Sequence, residues 1–176
     1  MPPSTITDQQ FRIRDATVQE VDAVGILTFQ GFGHHLPGAS EPDPARLELL
    51  LNAAARAREG RLLVAEDLSD GALVGTASVL PFGSSLARQA VKGEYELRLL
   101  AVLPRARRTG LGWKFLQASR AIAVAAGADR LVLDTADFND TSQALYRKFG
   151  FVRRPERERL RAAPEPRLVV YTLDLS

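Results

Sequence analysis

The stretch from 95 to 135 limits the folds open to this chain more than any other part of it. Residues 95–102 (YELRLLAV) read as a strand, and a turn carrying Gly110 and Gly112 follows. A helix then places Leu111, Phe115, Ala118, Ile122 and Ala125 on one face. The short apolar run 131–135 (LVLDT) closes the unit as a strand buried on both faces. Strands joined through a helical crossover lie parallel, so this unit places a parallel pair inside a sheet.

The rest of the chain adds antiparallel strands and more helices. Residues 11–15 (FRIRD) alternate apolar and polar, as a half-buried strand does. Thr17 and Glu20 have capping-box spacing, which predicts a helix to about Phe29. Gly31, Gly33, Pro37 and Gly38 mark a loop. Asp43-Pro44 starts a second helix with Leu47, Leu50, Leu51 and Ala54 as its stripe. Runs 62–66 and 73–80 flank an Asp70-Gly71 turn signal. A short helix over 140–149 ends at Gly150, and 151–154 and 168–175 are the last strands. The expected fold class is α/β (α+β): a mixed central sheet of about six to seven strands, mostly antiparallel around one central parallel pair, with helices on both faces. No repeat or low-complexity linker interrupts it, so residues 11–176 are expected to form one domain behind a flexible N-terminus, 1–10.

Composition removes several kinds of chemistry. The absence of cysteine excludes disulfides, thiolate metal sites and a cysteine nucleophile. His34 and His35 are the only histidines, too few for a structural metal centre. A net charge of +2 gives no general attraction for nucleic acid. No apolar run approaches the ~20 residues of a membrane span. The start, MPPSTITDQQ, lacks the features of a secretory signal, so the cytoplasm is the expected compartment. Arginines cluster around 98–108 and 153–161; such a patch suits an anionic ligand or is simply solvated.

Arg107-Arg108-Thr109-Gly110-Leu111-Gly112 lies between a strand and a helix. Glycine lets the backbone approach a ligand closely, and a helix start offers unpaired N–H groups and partial positive charge. Together these suit a pyrophosphate. The run is no P-loop, because Gly-Lys-Ser/Thr is missing. It is no dinucleotide fingerprint, because Phe115 occupies the third glycine position. It does resemble the GNAT superfamily of N-acetyltransferases, whose Arg/Gln-x-x-Gly-x-Gly/Ala pattern is met at Arg107, Gly110 and Gly112. Leu99-Leu100-Ala101-Val102-Leu103-Pro104 is similar to the family's lead-in strand. Farther on, Asn139, Ala144, Leu145, Tyr146, Gly150 and Phe151 match its N-x4-A-L-Y-x3-G-F block. The resemblance covers roughly 95–152; earlier residues match only in element order.

That resemblance implies acetyl-CoA as the acyl-donor substrate. The backbone of Leu100, Ala101 and Val102 would pair with the pantetheine arm. Amides from Arg107 or Arg108 through Thr109, Gly110 and Leu111 to Gly112 would cradle the pyrophosphate. Arg107 and Arg108 add charge, unless one of them merely stands in solvent. Asn139 lies near the thiol end, or caps the next helix, or both. Tyr146 matches the family's general acid facing the sulfur, against the alternative of an aromatic packed on the sheet. Glu96, eleven residues before Arg107, stands where some members carry a glutamate base. On the strand, Glu94, Glu96, Arg98 and Leu100 share a face expected to line the acceptor cleft; Tyr95, Leu97, Leu99 and Ala101 share the core face. A salt link from Glu96 to Arg98 or a neighbouring strand is the alternative. The N–H of Leu100 or Ala101 is expected to polarise the thioester carbonyl. His34 and His35 fall in a loop that walls the acceptor site in the family, or stand idle in solvent. Trp113 is expected to pack rather than stack on adenine.

The leading expectation is transfer of an acetyl group from acetyl-CoA to a primary amine of a small molecule or protein. The amine attacks directly, since no cysteinyl intermediate can form. The alternative is a non-catalytic acyl-CoA-binding regulatory domain. Glu94, Glu96 and Asp137 suit a cationic amine, although the first two helices, 82–93 and 155–167 set the acceptor. Neither nucleic acid nor membrane is an expected partner, and the superfamily makes a homodimer an expectation.

Overall fold

The computed structural model describes residues 10–159, 162 and 165–176; most of the expected flexible leader (1–9) and Arg161 of the second arginine cluster lie outside them. Strands β1 (Phe11–Asp15), β2 (Arg61–Asp67), β3 (Leu73–Pro81), β4 (Glu94–Val102), β5 (Arg130–Ala136), β6 (Val152–Arg153) and β7 (Leu168–Asp174) form one sheet. Their order is β1-β2-β3-β4-β5-β7-β6. Among the described residues only β4 and β5 pair in parallel, at the centre, as the crossover requires.

Helices cover both faces. Helix α1 (Val21–Gly31), α2 (Pro44–Leu51) and α3 (Ala53–Glu59) lie on one, where Val24, Ala53, Leu62 and Val64 pack together. The crossover helix α4 (Leu111–Ala125) and α5 (Asp140–Phe149) cover the other, with the larger core of Leu63, Val79, Leu97, Phe115, Leu131 and Tyr171. Phe115 is fully buried. It sits so close to β3 that a Cβ on Gly75 would stand 2.9 Å from its ring. Removing a ring packed like this costs about 3–5 kcal/mol. Gly150, at φ 114, ends α5 in a conformation that favours glycine. Among the described residues no helix is long and apolar enough to cross a membrane.

Two local expectations are corrected. The single second helix breaks at Asn52, whose N–H caps α2 on Glu48 O while its Oδ1 accepts from Ala55 N–H to start α3. The break rotates the buried stripe to Leu50, Ala53 and Arg56 and leaves Leu51 41% exposed. The strict alternation expected along β4 also fails. Its register on β3 slips between Thr76 and Ser78, and Leu99 adopts φ 54. This extra residue is a β-bulge. Beyond it Leu100 packs with Val102 against the α4–α5 core, while Ala101 meets Gly31 of α1. Leu100 therefore does not share the face of Glu96 and Arg98.

Candidate active site

The β4–β5 ladder is short. It consists of Glu94–Arg130, Tyr95–Leu131 and Glu96–Val132, although β4 runs on to Val102 and β5 to Ala136. Past Glu96 the two central strands stop pairing, and the bulge at Leu99 turns β4 away. The result is a wedge in the middle of the sheet, with unladdered β4 backbone on one side. A non-glycine residue at positive φ costs roughly 1 kcal/mol or more, and such strain gathers at functional sites.

The chain after β4 ends in an N–H cradle. A 3-10 turn, Pro104–Ala106, leads to Arg108 at φ 60 and Gly110 at φ 81, and α4 starts at Leu111. Alternation of this kind points successive amides to one side and forms an anion-binding concavity. Among the described residues, the backbone N–H groups of 108–113 meet no acceptor. The positive end of the α4 dipole adds to them. The two glycines serve different ends. Gly110 permits the left-handed turn and has open space around it. A Cβ on Gly112 would stand 2.9 Å from Leu145 Cδ2, so this glycine lets α4 approach α5.

The arginines of the motif divide likewise. Arg107 donates Nε to Val102 O and Nη2 to Gly31 O, both at 3.1 Å, and so ties the end of β4 to the C-terminus of α1. The Arg108 side chain is exposed and makes no bond to a described residue. Asn139 caps α5, accepting from Ser142 N–H at 3.3 Å. Trp113 packs edge-on against Phe149, ring centroids 4.7 Å apart. His34 is half-buried beside Phe29, its Nδ1 3.2 Å from Ser40 O; His35 is exposed.

Tyr146 is 6% exposed, between Phe151 and Tyr171 on the α4–α5 side. Burial pushes its phenol up to about 12. It therefore stays protonated at any physiological pH.

On the α1–α3 side the polar face of β4 meets the 82–93 connection. Glu96 is fully buried, and its Oε2 accepts from the N–H groups of Arg88, Gln89 and Ala90 at 2.9, 2.8 and 3.0 Å. Its Oε1 is buried without a hydrogen bond, 3.8 Å from Arg98 Nε. Burial, outweighing those N–H bonds, holds the carboxyl above the usual range. Glu94 does not line a cleft as the strand pattern suggested. It is enclosed, bonded by Arg130, by both terminal nitrogens of Arg157 and by Val91 N–H. Arg157 also donates to Gln89 O, so one guanidinium joins the β6–β7 connection to the acceptor-side loop.

Two residues beside Glu96 and Arg98 were missed. Asp134, on β5 across the wedge, accepts from Arg88 Nε and Nη2 at 2.7 and 2.6 Å and from Gln89 Nε2 at 2.9 Å. Burial pushes its carboxyl up, but these bonds leave it below the usual range. A lone carboxylate in the run LVLDT was a readable signal. Arg56 had none: ARARE looks like a solvated helix, yet Arg56 is fully buried.

A parted central strand pair facing an amide cradle at a helix start is the frame of a transferase that admits an extended, phosphate-bearing donor. The Acetyltransferase (GNAT) family profile matches residues 29–151, and the chain belongs to this family of N-acetyltransferases. It is 30% identical over 139 residues to the uncharacterized N-acetyltransferase YhfO of Bacillus subtilis, covering 79% of this chain and 88% of that one. Its fold matches an acetyltransferase of the GNAT family from Staphylococcus aureus Mu50 with TM-score 0.70 at 16% identity, over 94% of this chain and 99% of the other. The yncA protein of Salmonella typhimurium, solved with its cofactor acetyl-CoA, matches with TM-score 0.67 at 19% identity, over 95% of each chain.

Proposed function

We propose that the protein moves the acetyl group of acetyl-CoA to a primary amine by direct attack. The observation that carries this reading is the end of β4–β5 pairing at Glu96 in the same segment that leads into the unpaired amides of 108–113. The pyrophosphate would lie on those amides with Arg108 adding charge. Pantetheine would run along the backbone of 100–102, and the N–H of Leu100 or Ala101 would polarise the thioester carbonyl. The presence of acetyl-CoA in the yncA structure supports the choice of donor.

In the reaction the amine nitrogen bonds to the carbonyl carbon and the carbon–sulfur bond breaks. Tyr146 supplies a proton to the departing thiolate, and the amine gives one up. A phenol raised to about 12 is always protonated but is a weaker acid, so geometry must do most of the work. Glu96 Oε1 is the proposed acceptor of the amine proton. Its lack of a hydrogen bond and the raised proton affinity of its carboxyl support that role.

Release of free thiol from acetyl-CoA, measured against a broad amine panel, tests the proposal. Amine-dependent release is expected. Tight acetyl-CoA binding with no amine that accelerates release would leave the non-catalytic acyl-CoA-binding reading in its place.

A further inference from the structure

We propose that the acceptor amine carries a compact oxyanion, a carboxylate in the first instance, received by Arg98 with Arg56 behind it. The inference rests on the acetyltransferase reading and narrows its acceptor.

Arg56 is a fully buried cation whose partners are all neutral. It donates to Ser78 Oγ at 3.0 Å, Thr28 Oγ1 at 3.1 Å and Leu50 O at 2.8 Å. Its Nε–H is buried with no acceptor. Ser78 pairs with Arg98 in the β3–β4 ladder, so both guanidinium groups belong to the same face of the sheet. Arg98, with 9% of its side chain exposed, donates one nitrogen to Leu86 O. Its nearest carboxylate oxygen, Glu96 Oε1, is 3.8 Å from Nε, outside hydrogen-bond reach. Glu96 Oε2 is committed to the three amides of 88–90. The Arg88–Asp134 pair neutralises itself.

Among the described residues neither guanidinium is hydrogen-bonded by a carboxylate; Glu96 and Asp134 act on Arg98 only through space. A buried charge is costly unless it is paired and fully hydrogen-bonded. Burial, helped by repulsion from Arg98 on Arg56 and from Arg88 on Arg98, brings both guanidinium groups down to about 10. A carboxylate presents two oxygens to the planar donors of a guanidinium, a match that water does not reproduce. The position is also apt. Arg98 lies just past the last β4–β5 pair and just before the bulge, at the mouth of the wedge on the α1–α3 side. An amine tethered to an anion held there would face the proposed thioester position.

The test compares amino acids with their methyl esters (methionine, phenylalanine and leucine) as acceptors for the wild-type enzyme, scored by kcat/KM for thiol release. An ester's amine is the weaker base and has the larger neutral fraction near neutrality, so chemistry alone favours the ester. Preference for the free acids by about tenfold or more is expected. Arg98→Gln is expected to collapse that ratio by raising KM for the acids, with Arg98→Lys retaining part of it. Esters that match or surpass the acids in the wild type overturn the anion proposal and leave the acetyltransferase standing. No thiol release from either series also overturns the anion proposal, and only silence across the broad amine panel as well defeats the acetyltransferase reading itself. The wild-type comparison needs no variant, so misfolding of an arginine mutant does not blunt it.

Discussion

Burial raises the proton affinity of both Tyr146 and Glu96, and the two groups use it differently. The phenol is held in its donating form below about pH 12, so acid function persists as pH rises. The rate is then expected to climb with amine deprotonation from about pH 6 and show no fall by about pH 10. Tyr146→Phe is expected to lower kcat by about 10²-fold or more while changing acetyl-CoA affinity less than about twofold. An unchanged kcat removes Tyr146 from the acid role. Glu96 needs a finer test, because it anchors a loop as well. Glu96→Gln keeps an oxygen for the amides of 88–90 and removes the base, whereas Glu96→Ala removes both. If Glu96 is the base, both variants lose kcat by a similar factor. If Gln retains kcat while Ala raises acceptor KM, the carboxylate only positions the loop. Motif spacing offers both residues as candidates. The burial of Glu96 was not legible in the sequence, because it depends on the 82–93 segment folding back over β4, a contact between loop and strand that leaves no periodic mark.

At the scale of elements, the strands and helices were largely readable, since alternation, caps and apolar stripes are local. What failed was the register. The bulge at Leu99 arises from slippage of β4 on β3, a property of two strands, so one strand's pattern cannot announce it. Gly25 is similar: it looks like a weak point in α1, yet a Cβ there would stand 2.2 Å from Leu51 O. It is the place where α2 docks. Gly112 shows how such contacts redirect a prediction. Its place in the phosphate motif suggests that a bulky residue there blocks phosphates, but the first collision is with Leu145 on α5. Gly112→Val is expected to lower Tm by several degrees and weaken acetyl-CoA binding, with Leu145→Ala in the same chain restoring the Tm. Calorimetric affinity of the double variant then separates the causes. Recovery assigns the loss to displaced helices, and persistent weakness with a restored Tm assigns it to the phosphate path.

Across the molecule, arginine–carboxylate contacts tie neighbouring strands together and fasten the β6–β7 connection. Glu94 joins Arg130 and Arg157, Glu158 joins Arg153 and Arg167, and Glu66 joins Arg12 and Arg14. Glu158 is held below the usual carboxylate range chiefly by Arg153, and Glu66 chiefly by Arg12. For Glu94 burial pushes upward, but the bonds to Arg157, Val91 and Arg130 leave it low as well. Glu20, bonded by Arg14, falls to about 2. A depressed folded pKa contributes stability that is complete above the unfolded value and is lost as pH falls through the folded one. Glu96 runs the other way: its raised value favours the folded state as it protonates. One group opposes several, so acid is expected to destabilise the protein. Tm should hold from neutrality down to the ordinary glutamate value of 4.5 and then fall steadily toward about pH 2. Arg153 and Arg157 bind the β6–β7 connection to the sheet, and Arg157 also holds Gln89 O of the 82–93 loop, so the acceptor wall should loosen first. Hydrogen exchange near pH 3.5 is expected to show amides 88–91 losing protection before those of β4 and β5. A Tm that stays flat to that pH, or uniform exchange across the sheet, would mean that the core and not the ion pairs sets stability at the acceptor side.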